Sequence, residues 1–397
     1  MAIFSGPEIP NNGLVFHYDM GNTVKSWKGA PTTNVIAANF DSTFDTLADG
    51  NTAGFNNQLG TGNYLGVSST RGYQSSKSLK INNGTGGTAR VYRVYPVSLG
   101  EYSSVSAWVY SAVPGPFITI EYSGGDYNWT VGQTRNTHTG TGWELLWTRA
   151  NSATTSATSG HFFLYPGVDN TDTYWDNIQV EKQQYPTPYI NGTRSNTQAI
   201  VDLTGNNTVT ASSLTYASNG TFSFNGTSGK ITTATLPYQF LTTGFTVSII
   251  FKYTQTTTND NVISWGSSAF NTTSYAWELR LRGGGNVEFS PGIGPGGSGV
   301  PARTSYGQSP ALSGRDVVID VTYVANGVSS IYENGVLKAT NNYSGVGTST
   351  ATNLLTIGQG SDTYFPGSIY STKVYNRALS AAEIQQNFES ARGRYGI

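Results

Sequence analysis

Short stretches in which apolar and polar residues alternate run from one end of the chain to the other, separated by Gly, Asn, Pro and Ser. A period of two is the mark of a strand with one face on a core. Ser104–Tyr110 and Phe245–Phe251 are clear cases, whereas Asp316–Tyr323 alternates only in part, as expected of a strand buried between two sheets. Glu333-Asn334-Gly335 lies between Ser330–Tyr332 and Val336–Lys338, and its Asn-Gly predicts a hairpin because both positions tolerate positive φ. One segment, at the C-terminus, has helical spacing. Ser380 and Glu383 stand as a capping box, Leu379 and Ile384 as a hydrophobic staple, and Ile384 with Phe388 as a one-sided apolar face that could cover the end of a sandwich. The spacing predicts a helix over 381–391. No fixed short period recurs, which argues against a solenoid or propeller.

Composition sharpens this picture. Only 11% of the 397 residues are charged, while 48 Gly and 50 aromatic side chains (25 Tyr, 17 Phe, 8 Trp) supply turns and packing. That balance suits layered sheets of short strands and excludes disorder, which requires few aromatics. A net charge of -1 offers no field to attract nucleic acid. No apolar run reaches the roughly 18 residues that would insert in a membrane. The absence of cysteine removes disulfides and thiolate metal sites. The Met1–Pro7 start reads as neither a basic leader nor a signal peptide.

From Phe365 to Phe388, the stretch containing Val374-Tyr375-Asn376-Arg377-Ala378-Leu379-Ser380 and Glu383-Ile384 resembles the closing strand and short helix of laminin-G-like, concanavalin A-like modules. Ser223–Gly226, Phe245–Phe251 and Ile331–Leu337 agree with that resemblance in order and spacing. The opening piece of such a module is displaced: Gly13–Asp19 stands near the N-terminus, and its continuation Val201–Asn207 comes far later. The block between them resembles a different family, the carbohydrate-binding jelly rolls attached to bacterial xylanases and glucanases. It opens at Asn34–Asp41, continues through Ser78–Ile81, Ser106–Val109 and Gly142–Trp147, and closes at Tyr174–Glu181. Tyr185–Arg194 is similar to a linker of phage structural proteins. The expected fold class is therefore all-β, two antiparallel jelly-roll β-sandwich domains with a single C-terminal helix. One domain is inserted in the other: residues 1–30 plus 195–397 form the concanavalin A-like domain and 31–190 the insert. Tandem domains behind an unstructured N-terminal arm are the alternative.

Motifs for catalysis are missing. No closely spaced carboxylate run of the glucanase kind occurs; Asp169, Asp172 and Asp176, or Glu278 with Glu288, lack the spacing. There is no nucleophile elbow or phosphate loop, and His17, His138 and His161 stand far apart. Sugar binding needs flat aromatic faces with amides and carboxylates beside them. Tyr122, Asp126, Tyr127 and Trp129 supply that mixture in a turn-rich stretch, as do Trp265, Asn271, Tyr275 and Trp277 in the second module. Each has a core reading as well, and Trp108, Trp143 and Trp147, set in strand patterns, read as core. The resemblance to binding modules implies a structural Ca²⁺ held by Asp41 and Asp176; the competing reading is that both cap strand ends.

The expectation is a non-enzymatic bacteriophage virion protein, assembled in a bacterial cytoplasm and then extracellular. It would be a tail fibre, spike or capsid decoration, meeting other virion proteins and host cell-surface glycans, with trimers common in such fibres. A purely architectural virion protein and an accessory protein of a bacterial polysaccharide-degrading system are the alternatives.

Overall fold

The computed structural model describes residues 7–23, 25–36, 42–85, 90–98, 100–122, 136–151, 159–216, 221–233, 243–254, 259–266, 275–283, 286–291, 303–307, 312–325, 327–342, 354–360 and 363–397. The chain divides into two compact units, Met1–Ala30 with Asn196–Ile397, and Pro31–Ser195. It is mostly strand, in several antiparallel sheets, with one helix at the C-terminal end.

The discontinuous unit begins with β1 (Leu14–Asp19). The continuous unit holds β2 (Thr32–Thr33), β3 (Asn56–Gln58), β4 (Tyr64–Ser68), β5 (Ser78–Asn82), β6 (Arg90–Pro96) and β7 (Tyr102–Ser111). It continues with β8 (Phe117–Tyr122), β9 (Gly142–Asn151), β10 (Ser159–Tyr165), β11 (Asp172–Glu181) and β12 (Thr193–Arg194). The discontinuous unit then resumes with β13 (Val209–Ser212), β14 (Thr215–Tyr216), β15 (Phe222–Asn225), β16 (Lys230–Thr233), β17 (Phe245–Tyr253), β18 (Asp260–Gly266) and β19 (Tyr275–Arg282). It closes with β20 (Asn286–Ser290), β21 (Thr304–Tyr306), β22 (Asp316–Tyr323), β23 (Val328–Glu333), β24 (Val336–Asn342), β25 (Leu355–Ile357), β26 (Pro366–Tyr375) and α1 (Ala381–Tyr395).

In the continuous unit a four-stranded sheet (β3-β6-β10-β8) and a five-stranded sheet (β4-β5-β11-β7-β9) enclose one core. Leu79, Val105, Val109, Leu146, Phe162 and Trp175 are fully buried in it. The alternation read from Ser104–Tyr110 places Val105, Ala107 and Val109 inward. At the base, β2 pairs with β12, so the residues where the chain enters and leaves this unit lie side by side.

The discontinuous unit packs a seven-stranded sheet (β13-β16-β25-β18-β19-β20-β21) against an eight-stranded one (β14-β15-β26-β17-β22-β23-β24, with β1 also on β26). β1 runs antiparallel to β26, with Phe16 opposite Val374 and Asp19 opposite Ser371. It is also tied to the residues that follow the other unit in sequence. The His17 N–H donates to the Asp202 carboxylate at 2.9 Å, Leu203 N–H to the His17 carbonyl at 2.7 Å, and the Asn207 amide to the Val15 carbonyl at 2.9 Å.

The Asn334-Gly335 hairpin forms, with φ of 51° and 78° and Glu333 opposite Val336. The capping box of Ser380 and Glu383 is also present, and Leu379 and Ile384 pack together with Tyr375. The helix exceeds the expected span by a turn, because Gly396 in a left-handed conformation closes it by donating to the Arg392 carbonyl. It lies on the outer face of the eight-stranded sheet rather than at the sandwich end: Phe388 and Ala391 pack on Ile250 and Val318. This accounts for the broken alternation of Asp316–Tyr323. Val317, Ile319 and Val321 face the inter-sheet core, and Val318 faces the helix instead of a second sheet.

The same outer face carries a buried polar row. Asp320 on β22 lies opposite Ser248 on β17, Ser248 opposite Lys373 on β26, and Lys373 opposite His17 on β1. Burial pushes the Asp320 carboxyl up to about 7 and the Lys373 ammonium down to about 8, Asp320 opposing the second shift. Burial, then Lys373 and Arg394, hold His17 down at about 3. A carboxyl raised on folding contributes stability that is full below its unfolded value and lost as pH rises to about 7. A lysine lowered on folding contributes stability that is full above its unfolded value and lost as pH falls to about 8. Relative to an Asp320→Asn/Lys373→Met variant, the native thermal midpoint should therefore be lowest between about pH 7 and 8 and improve toward both acid and alkali. A difference that stays flat from pH 5 to 10 would contradict this assignment.

Candidate functional site

Three strands of the four-stranded sheet, β6, β8 and β10, carry apolar residues on both sides. On β10, Phe162 and Leu164 point into the core, so His161, Phe163 and Tyr165 point outward. On β6 the outward set is Arg90, Tyr92 and Val94, and on β8 it is Phe117, Thr119 and Glu121. Register brings them together: Phe163 lies between Tyr92 and Thr119, His161 between Val94 and Glu121, and Tyr165 opposite Phe117. Ring centroids are 5.2 Å apart for Tyr92 and Phe163, 5.8 Å for Tyr92 and His161, and 4.3 Å for Phe117 and Tyr165, the last pair nearly parallel. Tyr92, Phe117, His161 and Tyr165 are half-buried, and Val94 is 47% exposed.

Arg90 organises the polar part of this face. Its guanidinium covers the Phe163 ring at 4.0 Å and donates to Glu121 at 2.8 Å, to the Tyr165 hydroxyl at 3.0 Å and to the Gln58 amide oxygen at 2.7 Å. Burial alone would lower the Arg90 pKa, but Tyr165 and Glu121 outweigh it and raise it. Burial lowers the pKa of His161, with Glu121 opposing, which favours the neutral imidazole. Aromatic faces flanked by a fixed guanidinium, carboxylate and amide are what a sugar ring requires: C–H stacking with hydroxyl hydrogen bonds at its rim.

The residues singled out from the sequence are placed differently. Tyr122 ends β8 on the side of Ile118 and Ile120, packs against the core, and has its hydroxyl pKa raised by burial, so it turns away from the aromatic face. Asp126, Tyr127 and Trp129, in the connection after β8, lie outside the described residues, as do Asn271 and Asp41. Tyr275 begins β19 opposite Gly266, with its side chain outside the description. Trp265 and Trp277 are cross-strand partners with 0% exposure, and Trp277 stacks on Phe245 at 4.8 Å. Both are core residues without a face to offer a sugar, because their strand parity points them between the sheets. Conversely, Trp108, Trp143 and Trp147, expected in the core, are half-buried on the solvent side of the five-stranded sheet.

Asp176 is buried where β11 bulges, its neighbour Asn177 at a φ of 50°. One oxygen accepts from the Asn177 N–H at 2.7 Å; the other accepts from the Tyr73 N–H at 2.7 Å and the Ser75 hydroxyl. Burial raises its carboxyl to about 6, against the hydrogen bonds from Ser75, Tyr73 and Asn177, which lower it. Among the described residues no three of His, Cys, Asp and Glu converge on a metal position. Asp176 thus anchors the Tyr73–Ser75 loop, and Asp41, its proposed partner at a calcium ion, lies outside the described residues. Glu278 and Glu288 share Arg280, with Nη1–Oε1 at 3.0 Å to Glu278 and Nε–Oε1 at 2.6 Å to Glu288.

The face lies on regular strands, whereas the aromatic and amide mixtures that stand out in the sequence lie in turn-rich stretches. Its signal is that Arg90–Pro96 and Ser159–Tyr165 place large rings at both strand parities, although an antiparallel sheet facing solvent needs only one apolar side.

Residues 225–385 match the concanavalin A-like lectin/glucanases superfamily. That match falls wholly within the discontinuous unit. No curated protein matches the chain. Among solved structures, the binding domain of botulinum neurotoxin serotype D is similar at 17% identity with a TM-score of 0.40, over 49% of each chain. The binding domain of botulinum neurotoxin DC in complex with SialylT is similar at 14% identity and 0.38, over 49% of this chain and 50% of that one. The chain thus spans about half the length of those structures.

Proposed function

We propose that the protein is a non-enzymatic, glycan-binding β-sandwich protein that serves in a bacteriophage virion and attaches it to host surface sugars. One observation carries the glycan reading: the solvent side of the four-stranded sheet presents Tyr92, Phe117, His161 and Tyr165 around the Arg90–Glu121 pair. The match of residues 225–385 to the concanavalin A-like lectin/glucanases superfamily concerns the other unit and its fold. Glu121 on this face accepts from Arg90 at 2.8 Å, which fixes both groups for hydrogen bonding to sugar hydroxyls. The virion role rests on the linker-like Tyr185–Arg194 and on the low-charge, cysteine-free composition.

The full chain on an array of bacterial surface polysaccharides should retain at least one glycan and release no reducing ends from it. Tyr92→Ala and Tyr165→Ala should each weaken that binding about tenfold, the loss expected when one stacking ring worth roughly 1.4 kcal/mol is removed. Retention of no glycan at millimolar protein, or affinity untouched by both variants, would sink the reading. Mass spectrometry of purified particles tests the virion role separately.

A further inference from the structure

The five-stranded sheet of the same unit carries a second aromatic cluster on its solvent side. Tyr110 on β7 lies opposite Trp143 on β9 and Tyr174 on β11, and the three rings form one row across the strands. Their centroids are 5.8 Å apart for Tyr110 and Trp143 and 6.1 Å for Tyr110 and Tyr174, in edge-on contacts. Trp108, two residues along β7, is covered by the Tyr73 ring at 3.9 Å and 12°, and Tyr73 also meets Trp143 at a tilt, 5.5 Å away; Tyr110 and Trp143 are half-buried.

Over this row lies Arg71. Its guanidinium sits 4.0 Å from the Tyr110 ring centre and 5.7 Å from that of Tyr174, and the residue is exposed. The other charges nearby are committed: Asp172 is paired with Lys80 at 2.7 Å and accepts from Asn82 at 2.8 Å. Asp176 is engaged by Tyr73, Ser75 and Asn177, and Asp45 accepts from Ser76 and Lys77. Arg71 has no acidic partner among the described residues. A guanidinium held over an aromatic ring with no acidic partner keeps N–H groups available for a carboxylate.

The loop that presents Arg71 is held in place before any ligand arrives. Asp176 accepts from its Tyr73 N–H and Ser75 hydroxyl, and Asp45 accepts from the Ser76 N–H at 2.9 Å. The Arg71 carbonyl accepts from the Ser78 hydroxyl at 2.5 Å. Gly72 is required in this loop, since a Cβ there would stand 2.4 Å from the Ser75 carbonyl oxygen. Preorganisation of this kind removes an ordering cost from binding.

We propose that this face is a second glycan site, selective for carboxylate-bearing sugars of the uronic acid class, in which Arg71, seated on Tyr110, reads the carboxylate while Trp143 stacks on the sugar ring. It is separate from the four-stranded sheet, so the two readings stand or fall independently.

The test is calorimetric titration of the full chain with oligogalacturonate and oligoalginate, each beside its carboxyl-reduced, neutral counterpart. At least one acidic oligosaccharide should bind at least tenfold more tightly than its neutral form. Arg71→Gln should abolish that preference, Arg71→Lys should keep part of it, and Tyr92→Ala on the other sheet should leave it unchanged. Thermal midpoints equal to that of the native protein would show that the Arg71 variants are folded, as an exposed position allows. Equal binding of acidic and neutral forms, absence of binding for both acidic oligomers at millimolar concentration, or a preference that survives Arg71→Gln would each overturn the proposal. A preference lost in Tyr92→Ala instead would move acidic-sugar binding to the four-stranded sheet and overturn it equally.

Discussion

Replacing Trp277 by Ala should destabilise the discontinuous unit by about 3–5 kcal/mol, the usual cost of emptying a large aromatic site in a packed core. The indole is 0% exposed, pairs across strands with Trp265 and stacks at 4.8 Å on Phe245, which in turn contacts Phe289 and Tyr323. Deleting it leaves those rings facing a void that strands on both sheets cannot collapse to fill. For a unit of this size, roughly 2–4 °C per kcal/mol lowers the midpoint by about 6–20 °C. Scanning calorimetry should register the loss in one transition and leave that of the other unit in place, and Trp277→Phe should recover part of it. Glycan binding at temperatures where the variant is still folded should be unaffected. An unchanged midpoint together with lost sugar binding would return Trp277 to the surface role that its sequence neighbourhood advertised.

Asp202→Ala should be of similar size, for an electrostatic reason rather than a packing one. Its carboxylate is 2% exposed and accepts from the His17 N–H at 2.9 Å, the Thr204 N–H at 3.1 Å and hydroxyl at 2.6 Å, and the Asn207 N–H at 3.1 Å and side-chain amide at 2.6 Å. Truncation strands these donors, and each buried donor left without a partner costs about 1–3 kcal/mol. Water entering the gap would recover some of that, so a total of about 3–5 kcal/mol is expected. The damage should be local. Hydrogen exchange ought to quicken first in Leu14–Asp19, which the carboxylate ties to the chain beyond residue 200. Uniform acceleration throughout the unit, or none, would show that β1 is held chiefly by its ladder with β26.

The candidate faces illustrate where reading by pattern stops. Trp265 and Trp277 sit beside Asn271 and Tyr275 in a polar stretch that suggests a sugar site, yet their strand parity turns both indoles into the core. Trp108 and Trp143 sit in regular strands whose pattern suggests the core, yet their parity on β7 and β9 brings them to the solvent side. In both cases one residue of register decides, since a strand's side chains alternate between faces and a run that is apolar at both parities does not say which face is inside. Arg71 was not singled out at all: its significance comes from a loop folded back over rings that are 39 and 103 positions away in the chain.

The amino-acid sequence by itself determined the class of structure: strands from the period-two pattern, the hairpin from Asn334-Gly335, and the terminal helix from Ser380, Glu383 and the apolar positions around them. These are local signals, since turn geometry, caps and alternation involve residues only a few positions apart. Only the tertiary structure decided which rings meet solvent, that Asp320, Ser248, Lys373 and His17 form one buried row, and that Arg90 and Arg71 each preside over a separate aromatic face. Those features are products of strand order and register between distant segments, which pairwise burial and hydrogen bonding select and no short window of sequence records.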